Sequence, residues 1–318
     1  MPSNQTPLGA LPARFRRQRV LIVGCGDVGQ RVARDLLWPQ QRVRVLALTS
    51  SRARVAPLRA LGVTPLLGDL DNCATLRRLA GLATRVLHLA PPPSQGAGFD
   101  PRTTALVRAL RLRRLPLALV YGSTSGVYGD CGGARITETR AVAPTTLRAQ
   151  RRVDAERSVR QWGRTGVRVS ILRIPGIYAP DREGGTPEAR LRRGTPVLAA
   201  PDDVFTNHIH SDDLARICAR ALWRGRAQRI YHASDDSELK MGDYFDAAAD
   251  GYGLPRPPRL SRQEAQAQLP PLLLSFMSES RRLDNTRLHH ELGVCLRYPN
   301  VLQGLSAAPK GQNGGQIA

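Results

Sequence analysis

The sequence predicts an α/β fold, a doubly wound parallel sheet with a small C-terminal α/β domain packed over one edge. Three observations carry this prediction. Six short apolar runs alternate with stretches of helical spacing between residues 19 and 174. A glycine-rich turn, GCGDVG, follows the first run directly. After Pro175 the texture changes to longer irregular stretches rich in Gly, Pro and Arg. Strands that alternate with helical stretches of about a dozen residues form βαβ units, because a parallel pair needs a crossover of that length.

Taken in order, RVLIV (19–23) is a continuous apolar run short enough for a buried parallel strand. DVGQRVARDLLW after it has helical spacing in Val28, Val32, Leu36 and Leu37. VRVLAL (43–48) precedes the helix-like RARVAPLRALG, VTPLL (63–67) precedes ATLRRLAGL, and RVLHLA (85–90) precedes TTALVRALRLRR. LALVYG (117–122) and VRVSILRI (167–174) flank PTTLRAQRRVDAE (144–156), which reads as a helix opening just after a proline. Beyond Pro175, SDDLARICARALW (211–223) reads as a helix with Ser211 as its N-cap, and RIYHAS (229–234) as a further strand. The last third, through FMSESRRLDNTRLHHELG, reads as short helices. The expected organisation is a disordered tail (1–18), a sheet domain (19–175), a smaller domain (176–305) with some segments returning to the sheet, and a second disordered tail (306–318).

Composition narrows the class. A chain of 318 residues buries one large core or two modest ones. No apolar run approaches the roughly 18 residues of a membrane span, and MPSNQTPLGALPARFRRQ lacks the apolar stretch of a secretory signal, so no membrane partner and a cytoplasmic location are expected. Cys25, Cys73, Cys131, Cys218 and Cys295 are scattered and never spaced as CxxC, which argues against a disulfide framework or a zinc site. A net charge of +21 would by itself suggest a polyanion partner. Only Lys240 and Lys310 are lysines, however, and the arginines are spread along the whole chain rather than gathered in a stripe. That pattern fits coding bias better than an evolved phosphate surface, so no specific nucleic acid is expected, although incidental retention in low salt is.

GCGDVG supplies Gly24, Gly26 and Gly29 in GxGxxG spacing between a strand and a helix, the context that makes the motif informative. Gly24 permits the tight turn, Gly26 lets the backbone approach a pyrophosphate, and Gly29 lets the helix pack on the strand. With Asp27 and Val28 in the first turn, the helix N-terminus faces the phosphates with its free N–H groups and positive dipole end. The second strand bears on which dinucleotide is bound. An NAD site places an acid about 20 residues beyond the glycines, whereas this chain has none between Asp35 and Asp69. Instead TSSRAR offers Ser50, Ser51 and Arg52 to a 2′-phosphate, which favours NADP over NAD. LLGDLDN brings Asp69 and Leu70 to the end of the third strand, with Asp69 within reach of an adenine edge and Asp71 as cap of the next helix. Leu89, Ala90 and Pro91 of HLAPPP would wall the middle of the cofactor.

With GCGDVG, GDLD, STSGVYGD, LRIPGIY and HIHSDDLA in that order, residues 19 to 305 resemble the short-chain dehydrogenase/reductase superfamily. They are similar to its extended, NAD-dependent epimerase/dehydratase branch, and the ending RRLDNTRLHHELG is similar to the atypical YeeZ-like group. The resemblance implies a Rossmann fold with a small substrate domain, and alcohol, ketone or nucleotide-sugar substrates. It also implies site residues. In STSGVYGD the family's Ser or Thr, four residues before the motif tyrosine Tyr128, is Thr124, which would hydrogen-bond the substrate oxygen. Measured back from Glu156, the family's Tyr-x-x-x-Lys falls on Arg148 and Arg152. Arginine carries no acceptor and stays protonated, so this pair can orient or neutralise an anion but cannot be the general acid/base. A homodimer through this helix is common in the family and is the expected assembly.

On the substrate side, Pro175 and Tyr178 of LRIPGIY fall beside the expected nicotinamide pocket. The arginine that grips the substrate diphosphate in related epimerases is replaced by Thr206, leaving Asn207, His208 or a displaced arginine to serve. His208 and His210 could share a strand face near Asp212, but the family's histidine here is structural and no metal is expected. Two functions compete. One is an NAD(P)-dependent oxidoreductase or epimerase whose proton carrier has moved, with Tyr128, Tyr178 and His208 as candidates. The other is a non-catalytic NADP(H) sensor.

Overall fold

The computed structural model describes residues 18–37 and 43–306. The two expected tails fall outside the described residues except at their inner ends. There Gln18 is the first residue of strand β1 and Ser306 the last of helix α12, so neither belongs to a tail.

Seven strands form one parallel sheet: β1 (Gln18–Val23), β2 (Val43–Thr49), β3 (Thr64–Leu67), β4 (Arg85–His88), β5 (Ala118–Thr124), β7 (Arg168–Ile174) and β12 (Arg229–His232). Their spatial order, β12-β7-β5-β4-β1-β2-β3, reverses between β1 and β4, as in a Rossmann sheet. Strand periodicity divides the core into two layers. Val20 and Ile22 of β1 face α1 (Asp27–Leu36), α2 (Val55–Ala60), α7 (Ser211–Arg224) and α11 (Thr286–Leu292). Leu21 and Val23 face α3 (Cys73–Leu76), α4 (Pro101–Leu110) and α5 (Leu147–Gly163). All four of these β1 residues are 0% exposed, which explains why the strand is apolar throughout rather than alternating.

Two capping expectations are corrected. Helix α7 begins one residue earlier than a Ser211 cap would allow, because β11 (His208–His210) runs straight into it. The Nδ1 of His210 accepts from the Asp212 N–H at 3.2 Å, and Ser211 lies in the first turn with its hydroxyl donating to the Tyr178 carbonyl. Helix α3 is capped by Asn72, not Asp71, whose carboxylate is drawn off by Arg102. This α-helix is also only one turn long, followed by a 3₁₀ turn at Arg77–Leu79.

The remaining strands are short pairs: β6 (Arg135–Ile136) with β15 (Arg282–Leu283), β8 (Gly176–Tyr178) with β11, β9 (Val197–Leu198) with β14 (Arg259–Leu260), and β10 (Phe205–Thr206) with β13 (Leu239–Lys240). Around them, α6 (Glu188–Arg192), α8 (Met241–Tyr252), α9 (Arg262–Gln268), α10 (Pro271–Phe276) and α12 (Val301–Ser306) surround a third core. Leu191, Tyr244, Phe245, Met277 and Val301 belong to it. No helix among the described residues is long and apolar enough to cross a membrane, and the five cysteines are unpaired.

Candidate active site

The strand order opens a crevice at the carboxyl ends of β1 and β4, and the glycine turn lies in it. Gly24 has φ +89°, and a Cβ there would lie 2.6 Å from Ala90 Cα, so only glycine fits. Leu89 and Ala90 are fixed at the same place, both donating their N–H to the Val23 carbonyl, at 2.7 and 3.0 Å. A Cβ on Gly29 would press on the Gly24 carbonyl at 3.0 Å, so this glycine serves the packing of α1 on β1. A Cβ on Gly26, in contrast, would meet nothing within 4 Å. That open space, and the absence of any side-chain cap on α1, fit a bound pyrophosphate. Asp27 puts a carboxylate beside this anion site. It is offset by Arg31 at 3.0 Å and Arg182 at 2.7 Å, so Asp27 would contribute its backbone N–H rather than its side chain.

At the end of β2, Ser50 and Arg52 are both exposed, and Arg52 has no ion pair among the described residues. Arg54, which the sequence reading passed over, lies near the glycine turn. Burial pushes the Cys25 thiol up to about 11, and the nearby charge of Arg54 opposes that rise. Leu70 packs on the second core layer, and the Asp69 carboxylate accepts from the Asp71 N–H. Arg102 binds the Asp71 carboxylate and the Pro91 carbonyl, tying the loops after β3 and β4 together.

Pro91 begins the wall of a cavity of about 900 Å³ that runs past Thr124 and Pro175 to Arg190 and Phe245. Arg151 shapes this wall by donating to the carbonyls of Ser94, Gly96 and Ala97. At the end of β5, Thr124 Oγ1 accepts from the Gly126 N–H at 3.2 Å, leaving its O–H proton without an acceptor among the described residues. Arg148 and Arg152 both line the cavity. Arg148 lies 4.9 Å over the Phe276 ring, while Arg152 Nη1 donates to the Gly122 carbonyl at 2.6 Å and the Tyr121 hydroxyl at 3.2 Å.

The hydroxyls of the tyrosines expected as proton carriers are engaged by protein partners. Tyr128 is 1% exposed and its hydroxyl lies 2.6 Å from His232 Nε2. His232 Nδ1 must donate to the Asp284 carbonyl at 2.7 Å, so Nε2 is the acceptor and Tyr128 the donor. Burial pushes Tyr128 up to about 12 and His232 down to about 4. Tyr178 contributes to the cavity wall, but its hydroxyl reaches the Asn300 carbonyl and burial raises its pKa further still. Asn207 is likewise engaged, since its amide donates to the Arg281 carbonyl and accepts from the Leu283 N–H. His208 does line the cavity, stacked 4.3 Å from Tyr244, but burial lowers it to about 4 and makes it a poor acid at neutral pH.

Other residues of the wall were not singled out in the sequence. Glu279 is the carboxylate among the described lining residues, held by Arg281 at 2.8 Å and by the Thr145 hydroxyl at 3.2 Å. A Cβ built on Gly126, two residues from Thr124, would come within 3.9 Å of Glu279 Oε2. Arg190 lies 4.4 Å over the Phe245 ring. The SESRR run carries no periodicity that marks it. It reaches the site through the pairing of β15 with β6 and through Asn207.

The model of the NAD dependent epimerase/dehydratase family matches residues 20–233. A functionally unknown conserved protein from Silicibacter pomeroyi is 30% identical, with a TM-score of 0.74 over 91% of this chain and 97% of its own. A dTDP-glucose 4,6-dehydratase (DesIV) from Streptomyces venezuelae, solved with NAD and DAU bound, is 24% identical, with a TM-score of 0.72 over 91% and 95% of the two chains. The uncharacterized protein C2A9.02 of Schizosaccharomyces pombe is 26% identical over 228 residues, which are 68% of this chain and 74% of that one. Sheet order, glycine turn and family match agree, and the chain belongs to the NAD-dependent epimerase/dehydratase family.

Proposed function

We propose that this chain is an NAD(P)-dependent oxidoreductase or epimerase acting on a small carbonyl, alcohol or sugar-nucleotide substrate, without the usual Tyr-x-x-x-Lys chemistry. One observation carries the reading. The glycine cradle adjoins, through Ala90 and Pro91, a cavity whose wall holds both a hydroxyl with no acceptor among the described residues, Thr124, and a carboxylate, Glu279. Family membership and the dinucleotide bound to the related dehydratase support the cofactor class. Gly24, Gly26 and Gly29 would hold the pyrophosphate, with Leu89, Ala90 and Pro91 along the middle of the cofactor. Ser50, Arg52 and Arg54 would take a 2′-phosphate, which favours NADP.

When bound, the nicotinamide supplies a hydride acceptor or donor. The chain handles the proton. Thr124 donates to the substrate oxygen, and Glu279 accepts or returns the proton that an arginine at 148 or 152 cannot. Arg152, fixed on Gly122, holds a positive charge where a developing alkoxide would benefit.

The sensor reading keeps one observation in its favour: the hydroxyls of Tyr128 and Tyr178 are both engaged by protein partners, His232 and the Asn300 carbonyl. Fluorescence titration with NADPH and NADH, followed by a screen of carbonyl and nucleotide-sugar substrates, separates the two. Turnover that Thr124→Ala reduces at least tenfold supports the enzyme. Tight NADPH binding with no turnover supports the sensor, and activity untouched by Thr124→Ala would mean that the active site lies elsewhere.

A further inference from the structure

We infer that a second cavity, at the β12 edge of the sheet, binds the phosphoryl group of a small molecule. This cavity has a volume of about 490 Å³ and lies between α5, the loop after β6, β12 and α11. It shares no lining residue with the active-site cavity, so the inference does not rest on the function proposed above. Six arginines and two glutamates line it, and both glutamates are already engaged. Glu156 is held by Arg173 and by the Ser123 hydroxyl, while Glu138 accepts from the His232 N–H and pairs with Arg287. Arg229 is taken by Glu291.

Three guanidiniums are left over. Arg140, Arg157 and Arg160 are exposed on this cavity and make no side-chain hydrogen bond or ion pair among the described residues. They come from two separate elements, Arg140 from the loop after β6 and the others from successive turns of α5. A cleft lined by one sign of charge focuses its field and concentrates counter-ions, and guanidinium forks match phosphoryl oxygens. A phosphoryl group offers three acceptor oxygens and a charge near −2, against two oxygens and a single charge for a carboxylate. Val142, Val153 and Ile230 add an apolar part to the lining, and the volume is that of a small-ligand site.

The abundance of arginine in this chain puts guanidiniums on many surfaces, but a second feature is particular to this place. Arg157 and Arg160 also line a neighbouring cavity of about 500 Å³ together with Arg164, and Gln228 lies on both. Gln228 is the single non-glycine residue with positive φ among the described residues, at +59°. That conformation is costly for a glutamine and persists where the surroundings impose it, as they do at binding sites. Here the Gln228 amide donates to the Arg160 carbonyl at 2.9 Å. Gly163 leaves it room, since a Cβ there would lie 2.3 Å from Gln228 Nε2. The strained residue thus braces the turn of α5 that presents the free arginines.

Full-length protein is titrated by calorimetry with phenyl phosphate and, separately, with inorganic pyrophosphate, in about 0.15 M salt to screen distant charges. Binding of at least one is expected, and the tighter of the two tells an organic phosphate ester from an inorganic ligand. The double variant Arg157→Gln/Arg160→Gln should weaken it by about tenfold or more. Arg77→Gln/Arg78→Gln removes the same charge from two exposed arginines remote from the cavity, and should change the affinity by less than about twofold. Added NADPH should not compete. Should the first double variant not fold, Arg160→Gln alone is read by the same criteria. No binding of either ligand by wild type, or equal weakening in the two double variants, would overturn the site. So would competition by NADPH, which would place the phosphoryl group where the dinucleotide binds.

Discussion

A guanidinium in place of a phenol changes which residue can move a proton. The resemblance sets Arg148 and Arg152 at the family's two positions, and the helix that carries them forms where expected. Which residue would carry the proton in a tyrosine's place is not legible in the sequence, because orientation decides it: two expected carriers, Tyr128 and Tyr178, have their hydroxyls bonded to His232 and Asn300. His208 stays at the site but pays for burial in its titration. Its folded pKa of about 4 lies below the ordinary 6.5, so as pH falls the unfolded chain takes up a proton that the folded chain still refuses. The stability His208 contributes is present above pH 6.5 and is lost between 6.5 and about 4. The slope is about 1.4 kcal/mol per pH unit for one proton. Other buried groups titrate in the same window, His232 and His88 with the same sign and Asp235 with the opposite one, so the test is the difference: in urea unfolding from pH 4 to 7, His208→Gln should lower the slope by that amount relative to wild type.

The first βαβ element behaves as three glycines with separable tasks, and each task has its own signature. Gly24→Ala places a Cβ against Ala90 at φ +89° and should lower stability by more than about 2 kcal/mol. Gly26→Ala meets open space, so it should melt close to wild type and yet bind NADPH at least tenfold more weakly. Melting curves with NADPH titrations on both variants test the pair, and a Gly26→Ala protein that binds normally would place the pyrophosphate elsewhere. The element itself was legible because it is local: an apolar run, a glycine spacing and a helical stripe are contiguous in the chain. The caps were less so. Asp71 and Ser211 have the chemistry of N-caps, but a distant arginine takes Asp71, and the end of β11 makes His210 the residue that closes the helix.

At the scale of the molecule, the +21 charge implies sequence-independent nucleic-acid retention. Protein purified in low salt should carry absorbance at 260 nm that is lost by roughly 0.5 M salt, where the Debye length falls to a few Å. Retention that resists salt, or that depends on base sequence, would contradict the expectation of no specific nucleic-acid partner. By itself the sequence determined the parallel sheet and the glycine turn, because each is written in neighbouring residues whose period or spacing has one physical meaning. Only the tertiary structure decided what faces the cavity. Glu279 and Arg281 join Thr124 on the cavity wall from some 150 positions away through the β6–β15 pair, and Arg190 of α6 lies on that wall over Phe245 of α8 with no ion pair among the described residues. Side-chain direction and partner are set there by contacts remote in the chain, which local spacing does not encode.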